Sequence, residues 1–167
     1  MLERFEIQSN SSWYVWFIPI LFAVHNAEEY YFFSEMRYIQ LIQMEENVMQ
    51  RQYFFVALCL LTMIVFLFVC AHFMFRKRFT LSMLLIIQAM IFMNGWFHIG
   101  GAILTGRYVP GFITSLILII PFSLFLFRKG IVRGWWKMKH VVISCLLGVV
   151  LLFPIIFGVL FLAKVIV

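Results

Sequence analysis

The stretch YFFVALCLLTMIVFLFVCAHFMF, residues 53–75, carries no Asp, Glu, Lys or Arg over 23 positions. A helix needs about 20 such residues to cross the hydrocarbon core of a bilayer. The run is too long for the strand of a barrel and lacks strict alternation, so it predicts a membrane-spanning helix. The rest of the chain repeats the pattern. Of 167 residues, 65% are hydrophobic and 12% charged, and the mean hydropathy is +1.03. Soluble domains carry roughly 25% charged residues, so a soluble globular fold is excluded. The fold class expected is an all-α polytopic bundle forming a single membrane domain over 1–167. Five spans are predicted, at about 13–33, 53–75, 79–105, 108–127 and 141–163, with an interfacial amphipathic helix, or an extension of the first span, in the segment between the first two.

The N-terminal MLERFEIQSN has two glutamates and no short apolar region before a small-residue cleavage site, which predicts no secretory signal. Cys59, Cys70 and Cys145 all fall in predicted spans and read as small core residues rather than a disulfide framework. The net charge of +6 comes from basic residues clustered in loops, notably RKR at 76–78 and RKGIVRGWWKMKH at 128–140. Such clusters mark cytoplasmic loops and point to membrane lipid rather than nucleic acid as the surface they meet. The alternating loops are poorer in Lys and Arg. The expectation is therefore insertion in the cell membrane with the N-terminus inside, the C-terminus outside and Arg107 external. Trp135 and Trp136 fit an interfacial aromatic belt, and Pro110 fits a first helical position.

The first span carries an unusual load, HNAEE at 25–29. Spacings of three and four put Glu28 and Glu29 on the same side of the helix as His25. The third span carries Asn94 and His98, four apart, and runs in the same direction. His25 and His98 each lie roughly 10–12 Å from the end of their span at 1.5 Å per residue. One cluster is therefore expected in the outer half of the bilayer: His25, Glu28, Glu29, Asn94 and His98, with Arg107 above it. A carboxylate at the bilayer centre costs about 2.5–3.5 kcal/mol on insertion scales, so two in succession demand partners or water.

Three chemistries fit these residues. A metal enzyme would use His25, Glu28 and His98 as ligands for zinc or iron. Glu29 would then be the general base, with Asn94 or Arg107 binding an anionic or carbonyl oxygen of a lipid-like or isoprenoid substrate, in a hydrolase-like reaction. The second is metal-free acid–base chemistry of an isomerase kind, and the third a small proton-coupled carrier or lipid-binding protein. A purely structural role, with a glutamate paired to Arg107 or a histidine, is the plainest alternative.

HNAEE at 25–29, NGWFHIGG at 94–101 and RYVPGFIT at 107–114, in that order, resemble the bacterial membrane proteins that carry an HXXEE motif. The resemblance implies a small multi-span membrane protein and supports the site. It supplies no reaction.

Overall fold

A computed structural model describes residues 13–33, 51–75 and 77–167. The expected interfacial helix, in the segment 36–52, lies outside the described residues except for Arg51 and Gln52, which begin the next helix. Among the described residues, the chain is all-helical. A 3-10 turn, Trp13–Trp16, leads into α1 (Phe17–Tyr31), followed by α2 (Arg51–Phe75), α3 (Arg78–Thr105), α4 (Phe112–Val132) and α5 (Met138–Ile166). Helices α2 to α5 are each long and apolar enough to cross a membrane. α1 is shorter. Its 15 α-helical residues rise about 22 Å, and the 3-10 turn adds about 8 Å.

The apolar residues divide into an interior and a lipid-facing exterior. Tyr14, Ile18, Val65, Val69, Leu84 and Leu126 are among those that form a core shared by α1, α2, α3 and α4. A second cluster joins α2 to α5 through Phe54, Ala57, Leu58, Val159, Leu160 and Ala163. A third, at the opposite end of α5, joins Leu81, Leu85 and Ala89 of α3 to Phe127, Trp136 and Val141. Outside these clusters, large apolar side chains point outward on every helix, with Leu104 88% and Val132 75% exposed. Hydrocarbon, not water, is the solvent that such a surface fits.

Three expectations are corrected. Trp136 is buried in the third cluster and its indole N–H donates to the Phe127 carbonyl at 3.3 Å, so only Trp135 retains a partly exposed, belt-like position. None of the three cysteines is fully buried, and Cys59 is exposed. The fourth helix begins at Phe112 rather than at 108, with Gly111 as its N-cap and Pro110 in the preceding turn. α4 also contains a π-helical stretch, Ser115–Ile119, immediately before Pro121. Proline lacks an N–H and its ring collides with the carbonyl four residues earlier, so widening the helix there relieves that collision.

The turn between α3 and α4 positions the site. α3 ends on Gly106 in the left-handed conformation, the ordinary way to stop a helix. Residues 107–111 then double back, so that the start of α4 lies against α1 and the last turns of α3.

Candidate metal centre

Side chains of α1 and α3 meet within the bundle. His25 and His98 meet edge to face with ring centroids 5.0 Å apart. Glu29 lies between them, with its Oε1 3.2 Å from His25 Nε2 and 2.7 Å from His98 Nε2. The three groups are enclosed, at 1%, 8% and 9% exposure for His25, Glu29 and His98. One ligand atom from each falls within 4.8 Å of the others, so the group could hold a metal. Ligands about 2.1 Å from a tetrahedral ion lie about 3.4 Å apart, and the two Glu29–histidine distances of 3.2 and 2.7 Å lie within an ångström of that spacing. Asn94 closes the group: its amide nitrogen is 3.1 Å from both His25 Nε2 and His98 Nε2.

His25 is oriented from its far side. Its Nδ1 lies 2.8 Å from the Thr114 hydroxyl at the start of α4, and that hydroxyl also reaches the Gly111 carbonyl at 3.4 Å. Two proton arrangements satisfy this geometry. In one, Nδ1–H donates to Thr114 and the Nε2 lone pair faces the centre, ready for a cation. In the other, Thr114 donates to Nδ1 and Nε2–H donates to Glu29. Ligating histidines are commonly held in the first arrangement by just such an outer partner.

Glu28 points elsewhere. Spacing alone placed it in the ligand set with Glu29 as base; the geometry puts Glu29, not Glu28, between the two imidazoles. Glu28 Oε1 accepts from the Tyr108 hydroxyl and from the Ile113 N–H at 3.1 Å, while Oε2 accepts from the Thr114 N–H at 2.7 Å. These amides belong to the first turn of α4, whose N-cap, Gly111, has no side chain to satisfy them. Glu28 supplies the missing cap from another helix, with its negative charge at the favourable end of the helix dipole. Burial and the adjacent Glu28 carboxylate push the Tyr108 hydroxyl above its ordinary pKa, which keeps it a donor.

Gly111 cannot be larger. Its φ is +87°, and a Cβ there would sit 2.8 Å from His25 Cε1 and 3.0 Å from the His98 ring. Both imidazoles thus pack over bare backbone. Arg107, expected above the cluster, is exposed, and among the described residues its only hydrogen bond is from its backbone N–H to the Thr105 hydroxyl at 3.4 Å. Four participants went unassigned on sequence. Tyr108, Gly111 and Thr114 stood in a quoted motif without a role. Asn26, one of the unspecified motif positions, donates to the Thr62 hydroxyl at 2.9 Å and ties α1 to α2.

Beside this centre runs a cavity of about 280 Å³. Glu29, Asn26 and Asn94 are its polar wall, and the remainder is aliphatic and aromatic side chains of α1, α2, α3 and α5.

Residues 16–126 match a family described as proteins of unknown function with an HXXEE motif. The chain belongs to the HXXEE family. The matched stretch contains every residue of the centre. In this HXXEE protein the two end letters of the motif, His25 and Glu29, meet His98, and the fourth letter, Glu28, caps α4. The motif thus links α1 to both α3 and α4. No curated protein and no solved structure matches the chain.

Proposed function

We propose that this HXXEE protein is a membrane-embedded, metal-dependent enzyme of hydrolase-like activity, acting on a lipid-like substrate. The observation that carries the reading is the convergence of His25 Nε2, His98 Nε2 and Glu29 Oε1 on one enclosed point that borders an apolar cavity. Two imidazoles and a carboxylate are a ligand set for zinc, and suit iron as well. Such an ion supplies Lewis-acid polarisation and a nucleophile at neutral pH. A cation also answers an electrostatic need, because it offsets the penalty of holding Glu29 away from water.

The chain's own groups divide the remaining work. Thr114 fixes the His25 ring from behind. Asn94, on both the centre and the cavity wall, is the group placed to bind a substrate carbonyl oxygen as charge builds on it. In the metal reading Glu29 is the third ligand, and it is the group placed to take a proton only where no metal is held. Hydrolysis joins the water oxygen to the acyl carbon, breaks the bond to the leaving group and returns a proton to that group. Arg107 takes no part in the reading, because its side chain is exposed away from the centre. By the loop charges, the site faces the outer half of the cell membrane.

A second reading has support in the same distances. Glu29 within hydrogen-bond reach of two imidazoles is also a proton relay, able to move a proton on an isoprenoid or similar lipid without metal. Elemental analysis of protein purified without chelators separates the two. The metal reading expects about one zinc or iron per chain in the wild type, and loss of it in both His25→Ala and His98→Ala. A folded wild type that carries no metal and takes up neither ion overturns it in favour of the relay.

A further inference from the structure

The cavity is long and polar at one end. Along α3 its lining runs from Met83 to Asn94, a rise of about 16 Å at 1.5 Å per residue. Over that length its walls are almost wholly apolar, an elongated shape that matches an extended carbon chain. The three polar residues stand together near the α1 end, at the metal centre. Among the described residues, Lys and Arg are absent from the lining, and Glu29 is its only ionisable side chain. A phosphate-bearing head would meet a carboxylate and no basic side chain there.

The cavity also has a way in. α2 and α5 pack together at the site end, through Phe54, Ala57 and Leu58 against Val159, Leu160 and Ala163. Further along, the lining residues Ile64 and Phe68 of α2 and Leu151 and Ile155 of α5 are 36–39% exposed. These positions lie in the middle of spanning helices, on either side of Pro154, so the seam opens toward hydrocarbon rather than water.

We propose that the cavity takes one single-chain lipid with an uncharged, carbonyl-bearing head, entering sideways from the bilayer between α2 and α5. The chain lies along α3 and the head stops at Asn26, Asn94 and Glu29. Asn94 donates to the head's carbonyl oxygen, and the side-chain carbonyl of Asn26, whose amide hydrogens are held by Leu58 and Thr62, accepts from a head hydroxyl. This rests on the reading of the centre as a lipid-directed site, but not on a metal being present.

The test uses the whole protein in phosphatidylcholine vesicles with a photoactivatable monoacylglycerol whose reactive group sits midway along its chain. Cross-linked peptides are mapped by mass spectrometry, with and without chelator. Label should concentrate on the cavity faces of α2 and α3, around Leu61 and Ile87, and be displaced by unlabelled monoacylglycerol. The same chain bearing a phosphate head should displace it about tenfold less well. Ile155→Trp, a change at an exposed position that leaves the core packing alone, should cut cavity labelling about tenfold while labelling of the outward-facing Ile103 and Leu104 stays constant. Labelling confined to the exterior with or without chelator, equal labelling in Ile155→Trp, or equal displacement by the phosphate lipid each overturns the proposal. Cavity labelling in a protein shown to carry no metal sustains it while the metal reading falls.

Discussion

Glu28 and Glu29 are adjacent in the chain and do opposite things. Glu29 is buried between two imidazoles, and its carboxylate touches groups that can each be charged or neutral. Glu28 is half-buried and touches a phenol and two backbone amides, which are donors in any protonation state relevant to the cell. A carboxylate surrounded by fixed donors is a structural clamp. One set between two imidazole nitrogens has the donor set that could hold a metal ion. The lesson is that identical side chains, 100° apart on one helix, acquire their roles from what the neighbouring helices present.

The largest effect is expected where both roles meet, at Gly111. Gly111→Ala forces a side chain into the left-handed region and against both imidazoles, a destabilisation of about 3 kcal/mol. Metal content and thermal stability in detergent should fall together; a variant of unchanged stability with metal retained breaks the account of this turn.

Next comes the comparison itself. Glu28→Gln weakens charge-assisted bonds to three donors, so the unfolding midpoint in a detergent titration should shift by about 2 kcal/mol while metal is retained. Glu29→Gln should do the reverse. It removes a buried charge, leaving stability nearly unchanged or raised, and lowers metal affinity by more than the roughly 10–100-fold that outer partners are worth. If the two variants behave alike, the division of labour is wrong.

The smallest effect sharpens the picture without breaking it. Thr114→Val removes only the hydroxyl behind His25 and keeps its shape. Metal affinity should drop about tenfold with the fold intact, as read by competition with a chelating dye. A metal-free relay would instead show an altered pH dependence of activity and no change in metal content.

The sequence made the spans legible because crossing hydrocarbon needs length and apolarity, and both are local properties. Residues 53–75 are predicted within two residues of the observed α2, and 79–105 within one of α3. Shared direction of α1 and α3 was enough to bring His25, Asn94 and His98 to one level. The roles of the two glutamates were not legible. Positions three and four after His25 lie about 60° to one side of it and 40° to the other, so spacing cannot say which faces α3 and which faces the start of α4. That depends on where the 107–111 turn places α4, which in turn depends on a glycine packed under two rings. The apolar cavity was equally invisible, because its walls are ordinary Leu, Ile, Phe and Met residues whose absence of packing is a property of four helices together.

The clamp has a consequence for how the protein is made. Glu28 emerges from the ribosome 86 residues before Thr114, and at 5–20 residues per second that interval is roughly 4–17 s. For most of it Glu28 has none of its partners, and Glu29 has only His25, its neighbour on α1. With only 15 α-helical residues and a cost of about 2.5–3.5 kcal/mol per central carboxylate, α1 gains little from entering the bilayer alone. The energetics favour an α1 that waits at the interface and is drawn in when the α3–α4 hairpin arrives, so that a helix made before its partners is among the last to settle.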